Sequence, residues 1–549
     1  MAMMQQKRKA IFKQIPLALL ISSTFLSSIP ALAAQVPAGV ELAAKQEIVR
    51  NNGTEPASLD AHKVSSDVEF NIIADLFAGL VSIDDKGNPH PSLAASWDNK
   101  DNTVWTFHLR PDLKWSDGSP ITAEDVVFSW RRLVDPTIGS PYATYPSSMH
   151  ILNAADITDG KKKPDTLGVK ALDAHTVEVT LDQPISYFLG MAAHPTLFPL
   201  PEAAIKKFGD KWTQPGNLVS SGPFKLDSWT VNERVVSVRN PNYWDNQHTV
   251  INKVTYLPIV SGTADVNRYK AGEIDITSTV PEIQFAALKK QLGAQVHVGP
   301  KLGVYYYALN VTKPPFDDAR VRLALNLALD KDIIAGKVLG QGQKPAWSIV
   351  PDETGGFDFK KSKYQEMSQE QRVAEAKKLL SEAGYGPSKP LKFNLLYNTS
   401  ESHQRIAIAA SSMWKKNLGV DATLQNQEWK TMLDTKRQGN FEAVRMAWIA
   451  DYNEPSTFLN TLRTGDSENS SKFSNAAYDK ALDDALTAKD KAQAGEFYQQ
   501  AEDVLSEQVP VIPLYQYVSA KLVKPFIGGY DNQSPLGYIY TKDLYVIKH

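Results

Sequence analysis

The sequence predicts a mixed α/β protein built from more than one lobe. Three observations predict it. Short runs alternate apolar and polar residues between turn signals, amphipathic helical segments are interleaved with them, and no repeat, low-complexity tract or Gly/Ser linker interrupts the 549 residues. A chain of this length accommodates two to four domains of roughly 100–200 residues each. Interleaving without linkers argues for lobes joined by short crossovers, and two-lobed architectures place their ligand between the lobes.

Taken in chain order, the first element is an export signal. Lys7, Arg8, Lys9 and Lys13 form a basic segment without acids, an apolar stretch runs from Ile15 to Ala33, and Ala31-Leu32-Ala33 has the small-x-small pattern of a cleavage site. Cleavage after Ala33 removes four cations and takes the formal charge from -2 to -6. No cysteine follows that could carry a lipid, and no later run approaches the ~18–20 apolar residues of a membrane span. The expected location is free solution in the periplasm, without stable membrane insertion. Thr103–Leu109, Thr176–Leu181 and Lys253–Leu257 read as strands. Asp317–Ile334 reads as a helix behind Asp317 and Asp318, with Val321, Leu325 and Leu329 at four-residue spacing. Gln371–Ala383 and Ser402–Leu418 read as further helices, closed by Gly384 and Gly419. Val444–Ile449 reads as an apolar strand running into Asp451.

Composition excludes several classes of function. With 59 Lys+Arg against 61 Asp+Glu there is no basic excess to hold nucleic acid. The absence of cysteine excludes disulfide scaffolds, zinc ribbons, iron–sulfur clusters and cysteine nucleophiles. Phosphate-loop, dinucleotide, nucleophile-elbow and zincin motifs are missing, and no two of the ten histidines are spaced as helix-borne metal ligands. No catalytic residue, metal or cofactor is therefore expected. One enzymatic pattern does occur: Ser412-Met413-Trp414-Lys415 matches the S-x-x-K of penicillin-binding serine enzymes, which would make a cell-wall hydrolase or transpeptidase. Its companion motifs are absent, and the four residues also read as small, apolar and basic positions around one helix. Lys161-Lys162-Lys163 reads as a solvated loop.

Three segments carry a more specific signal: Phe107-His108-Leu109-Arg110, Lys114-Trp115-Ser116-Asp117-Gly118 and Thr122-Ala123-Glu124-Asp125-Val126-Val127. Together with Gly222-Pro223-Phe224, Asn242-Tyr243-Trp244, Ala271-Gly272-Glu273-Ile274-Asp275 and Asp318-Ala319-Arg320-Val321-Arg322, they resemble the extracellular solute-binding proteins of the peptide/nickel type, family 5. Asn426 to Thr431 and Ala450-Asp451-Tyr452-Asn453-Glu454-Pro455 resemble both its oligopeptide-binding and its murein-tripeptide-binding branches. Lys337 to Gly340, Lys344 to Trp347 and Ser412 to Asp421 lean toward the murein branch.

The resemblance implies a two-lobed periplasmic-binding-protein fold of type II, enlarged by an extra domain, with a hinge and an interlobe cleft. It implies a base lobe of residues 34–77, 201–302 and 519–549, an inserted domain of 78–200 and a second lobe of 303–518. It further implies a monomer that delivers short peptides to an inner-membrane ABC permease and performs no chemistry itself. An extended peptide offers an ammonium at one end, a carboxylate at the other and a backbone between, so binding it irrespective of side chains calls for strand pairing and charged end groups.

By the same resemblance Asp451 takes the ammonium, with Tyr142 and Tyr517 beside it and Trp429 as a pocket wall, while Ala447 and Ile449 belong to the strand that pairs with the ligand. From the residues alone Asp451 reads more readily as a cap of the following turn, and Arg445 reads equally as an interlobe ion pair or as a carboxylate partner. His403 matches a position near the carboxyl end of longer ligands. Lys436 stands where relatives have arginine, with Arg437 beside it, and lysine lacks the bidentate fork. A γ-linked D-Glu leaves a carboxylate free in mid-ligand, which Arg445, Lys436 or Arg437 would meet. Leu339 replaces a lysine of the general oligopeptide binders. Ser65, Ser66 and Asp67 depart from both branches near the ligand backbone, and Gly303 and Ile449 replace a cysteine pair. Two readings within one class follow: a murein-tripeptide binder, or a general binder with wide, hydrated side-chain pockets.

Overall fold

Two long strands organise the molecule. Val296–Leu309 and Val511–Leu522 pair antiparallel along almost their whole length, with a register break between Pro300 and Val304. Their outer halves lie in different cores. Val296, Ala520 and Leu522 pack with Leu257, Val266 and Tyr269, while Tyr305, Tyr307, Ile512 and Leu514 pack with Leu325, Phe393 and Trp414. The strands therefore run as a double crossover from one packed region to another, and the break lies between the two.

The computed structural model describes residues 34–549 apart from 85 and 353, and these form one body. The expected export segment, residues 1–33, lies outside the described residues. Three main sheets build the fold. Glu47–Asn51, Lys253–Leu257, Arg234–Arg239 and Phe224–Thr230 form the first, in that spatial order. Ala94–Lys100, Val104–Leu109, Thr176–Thr180 and Val169–Asp173 form an antiparallel second, against which the helix Ala123–Val134 packs. The third has six strands, in the order Lys344–Pro345, Val511–Leu522, Val296–Leu309, Ala443–Ile449, Lys392–Asn398 and Asp421–Gln427. Strands, helices and these sheets make the mixed α/β, two-lobed fold expected from the sequence.

The expected strands appear within a residue of their predicted ends. The helix Gln369–Glu382 starts two residues early because Ser368 and Gln371 form a capping box, and Glu401–Leu418 starts behind Ser400 and ends at Gly419, whose φ of 70° is left-handed. Asp317–Ile334 is not one helix. Ala319–Leu327 is capped by Asp318 and not by Asp317, and the chain restarts where Asp330 accepts the Ile333 N–H at 3.0 Å. An aspartate inside a helical pattern offers the backbone an alternative acceptor, and here that acceptor wins.

Candidate functional site

A cleft made of two contiguous chambers, offering water-sized molecules about 180 and 330 Å³, runs beside the Ala443–Ile449 strand. Val444, Met446 and Trp448 pack into the core, Arg445, Ala447 and Ile449 alternate with them, and the cleft is lined by the strand from Arg445 to Ile449. On one side this strand pairs with Gly303–Leu309 throughout. On the other, Lys392–Asn398 reaches only Ala443 and Val444. The edge from Arg445 to Ile449 has no strand partner among the described residues, and it faces the cavity.

Asp451 lies just past the end of this strand, 7% exposed. Its Oδ1 accepts from the Tyr142 hydroxyl at 3.0 Å and lies 3.2 Å from His194 Nε2. His194 Nδ1 accepts the Thr196 N–H at 3.3 Å, which leaves the proton on Nε2 and makes the ring a neutral donor to Asp451. The Asp451 N–H itself goes to Thr457 Oγ1 at 2.9 Å. The side chain thus turns into the cleft instead of capping its own turn. Tyr142 is held in place by stacking on His194, with ring centroids 4.8 Å apart, and by an edge contact with Phe70. No Lys or Arg pairs with Asp451 among the described residues, so a buried carboxylate meets only neutral donors.

Arg445 presents the opposite charge. Its guanidinium donates to the Tyr517 hydroxyl at 2.8 Å and to Asn398 Oδ1 at 3.3 Å, and it lies 4.7 Å over the Tyr305 ring. Its Nε has no partner although buried. Among the described residues no carboxylate forms an ion pair with it, although Asp67 feels its charge, so its contacts are not those of an interlobe ion pair. Tyr517, which the resemblance places beside the ligand ammonium, is held by Arg445 and lines both chambers, the first of them together with Asp451. His403 lines the second chamber against Tyr305, and burial together with Arg445 holds it well below the usual imidazole range, hence neutral; its Nδ1 lacks a partner.

The helix Trp429–Arg437, capped by Glu428, brings Trp429, Leu433 and Lys436 to the first chamber at helical spacing. Arg437 follows Lys436 by one residue and so points elsewhere: it is exposed and pairs with Asp434 at 2.8 Å, outside both chambers. Lys436 lines the cleft, but its ammonium is bound to Glu468 at 2.7 Å, with 7% of each side chain exposed. Ser65 and Asp67 line the first chamber from the start of the helix Asp67–Leu76, whose N-cap Ser66 accepts the Val68 N–H. Asp67 pairs with Lys301 at 3.0 Å. Burial alone would raise the Asp67 carboxyl, but Lys301, then Lys521 and Arg445, hold it below the ordinary range.

Leu339 is buried in the core beside the six-stranded sheet. Gly303 and Ile449 lie directly opposite each other in the pairing, so the isoleucine fills the space a glycine leaves. Ser412 is exposed, and Lys415 is tied to Asp421 at 2.6 Å.

Residues facing the cleft that escaped the sequence reading include His194, Glu468, Lys301 and Lys521. Each sits alone in a loop or strand without motif spacing, and only its partner across the fold gives it a role. Among the described residues no group of acids and histidines could hold a metal ion, and no helix is long and apolar enough to cross a membrane.

Residues 88–470 match the family model of the bacterial extracellular solute-binding proteins, family 5, middle region. The chain is 53% identical over 530 residues to the periplasmic oligopeptide-binding protein OppA of Salmonella typhimurium, covering 96% of this chain and 98% of that one. It is 49% identical over 532 residues to the periplasmic murein peptide-binding protein MppA of Escherichia coli, covering 97% and 98%. The structure of the latter superposes with a TM-score of 0.91 at 50% identity, over 92% of this chain and 100% of that one. A Haemophilus influenzae OppA complex with the peptide RPPGFSPFR gives 0.90 at 45% identity, over the same shares. The unliganded open form of the murein tripeptide binding protein gives only 0.66, over 93% and 99%, so this chain superposes better on the peptide complex than on that open form.

Proposed function

The chain belongs to family 5 of the bacterial extracellular solute-binding proteins, and from that premise we propose that it is the periplasmic binding component of a peptide ABC importer. One observation carries the reading. A buried carboxylate, Asp451, and a buried guanidinium, Arg445, sit along one strand, each satisfied only by neutral groups, with an unpaired strand edge between them. Burying two uncompensated opposite charges is costly, and a zwitterionic extended ligand removes that cost at both ends. Asp451 takes the ligand ammonium with Tyr142 and His194 orienting it, the edge from Arg445 to Ile449 takes the backbone, and Arg445 takes a carboxylate. Trp429 and His403 wall the side-chain space.

The proposed lobes are residues 34–77, 201–302 and 519–549, then 78–200, and 303–518. The register break at Pro300–Val304 in the crossover strands supports a hinge there. The protein acts as a monomer in the periplasm, is exported by residues 1–33, passes its ligand to an inner-membrane permease and catalyses nothing.

Within this class the ligand is a murein tripeptide. Lys436, though paired with Glu468, and Arg445 place cations partway along the groove, where a γ-linked D-Glu carries its free carboxylate. Calorimetric titration of ligand-stripped protein with L-Ala-γ-D-Glu-meso-Dap and with tri-L-alanine tests both levels. Sub-micromolar binding of the first with weak binding of the second supports the murein reading. Tight binding of tri-alanine makes the protein a general peptide binder, and binding of neither removes the peptide reading.

A further inference from the structure

The cleft is lined by an ion pair of a different kind from Lys436–Glu468. That pair is sealed, with 7% of either side chain exposed. Asp67 and Lys301 pair at 3.0 Å, yet 53% of the Asp67 side chain and 20% of the Lys301 side chain are exposed, and both residues line both chambers. Asp67 projects from the first turn of the helix Asp67–Leu76, and Lys301 from the register break of the crossover strand. Two independent elements thus deliver opposite charges to the junction of the chambers. Lys521 lies behind them in the second chamber, its ammonium donating to the Ser278 carbonyl at 2.8 Å. The charged groups around Lys521 are Lys301, Arg50, Asp67 and Asp265; burial first, then repulsion from Lys301 and Arg50, brings it down to about 7.

We propose that Asp67 and Lys301 form a subsite for a ligand side chain that ends in an amino-acid zwitterion, an ammonium and a carboxylate on one carbon, as at the far end of meso-diaminopimelate. The inference rests on the peptide-binding reading and names the feature of the ligand that this subsite selects. The pair opens onto the cleft, so a ligand reaches it without breaking a sealed contact. A neutral side chain gains nothing there, and a lone ammonium would strip Asp67 from Lys301 and leave the lysine unpaired. A zwitterion pairs head to tail with both, ammonium to the Asp67 carboxylate and carboxylate to the Lys301 ammonium, and Lys521 gives the same carboxylate a second cation. Asp67 thereby serves as a second ammonium receiver beside Asp451, matching a ligand with two amino groups.

The test compares three tripeptides, L-Ala-γ-D-Glu followed by meso-Dap, by L-Lys or by L-norleucine, with tri-L-alanine as a control, on wild type, Asp67→Asn, Lys301→Met and Lys301→Arg. Melting curves check that each variant is folded, and Lys301→Gln replaces the methionine variant if it is not. In wild type the Dap peptide binds tightest. Lys301→Met lowers the Dap-to-Lys affinity ratio about tenfold, Lys301→Arg keeps it, and Asp67→Asn weakens the Dap peptide about tenfold relative to norleucine. A Dap-to-Lys ratio unmoved by Lys301→Met, or a wild type that binds all three alike, overturns this subsite while the peptide-binding reading stands. A wild type that binds neither these nor tri-alanine overturns both.

Discussion

Replacing Asp451 by asparagine tests the centre of the site with little change in shape. The substituted amide would still accept from the Tyr142 hydroxyl, which lies 3.0 Å from the Asp451 Oδ1, and the Thr457 bond to the backbone N–H would remain. Only the charge is lost. Because the carboxylate is 7% exposed and meets only neutral donors, the ligand ammonium that replaces water there would be left buried and uncompensated. Leaving one partner of such a pair alone costs about 2–5 kcal/mol. This corresponds to a loss of roughly thirtyfold to a few thousandfold in affinity. Calorimetry with a free peptide and its N-acetylated form separates charge from fit. Acetylation removes the ammonium, so the acetyl peptide binds weakly to wild type and no more weakly to Asp451→Asn. The reasoning is refuted if both peptides lose affinity equally in the variant, or if the free peptide binds the variant as it binds wild type.

Four further outcomes are expected. Lys436→Met strands the buried Glu468 and destabilises the protein by about 3–5 kcal/mol, whereas Lys436→Met with Glu468→Leu recovers most of the loss; chemical denaturation reads both. At Gly303 an added Cβ would fall 2.4 Å from Ile449 Cδ1, so Gly303→Ala lowers stability by about 1–3 kcal/mol and Ile449→Val relieves it, as melting curves will show. Burial pushes the Glu69 carboxyl up to about 7 from 4.5, only partly offset by the Ala57 N–H. The folded state then holds a proton that the unfolded chain releases, so this stabilisation is complete below about pH 4.5 and lost as pH rises through about 7. Glu69→Gln fixes the neutral form, and between about pH 5 and pH 8 its melting temperature falls less than that of wild type. Finally, the ligand-free protein opens: its radius of gyration exceeds that of the ligand-saturated form by X-ray scattering, and equal radii would rule out hinge closure.

Local physics was legible without coordinates. The apolar run Val444–Ile449 marked a strand, and amphipathic segments closed by Gly384 and Gly419 marked the helices Gln369–Glu382 and Glu401–Leu418, because periodicity and capping act over a few residues. Spacing on the helix Trp429–Arg437 would also have separated Lys436 from Arg437, since neighbours in a helix lie about 100° apart. The sequence likewise carried the family, through motifs spread along the chain, and with it Asp451, Tyr142 and Arg445. It did not carry the electrostatics of the cleft. Lys436 reads as a free cation until Glu468 is seen across from it, Asp67 as a helix-starting acid until Lys301 arrives from the crossover strand, and Asp451 as a turn cap until Tyr142 and His194 meet it. Charge pairing is decided by distance in space, between residues tens to hundreds of positions apart, and burial sets how much each pair is worth. Only tertiary structure supplies both, so it alone showed which charges in the cleft have a charged partner and which meet neutral groups.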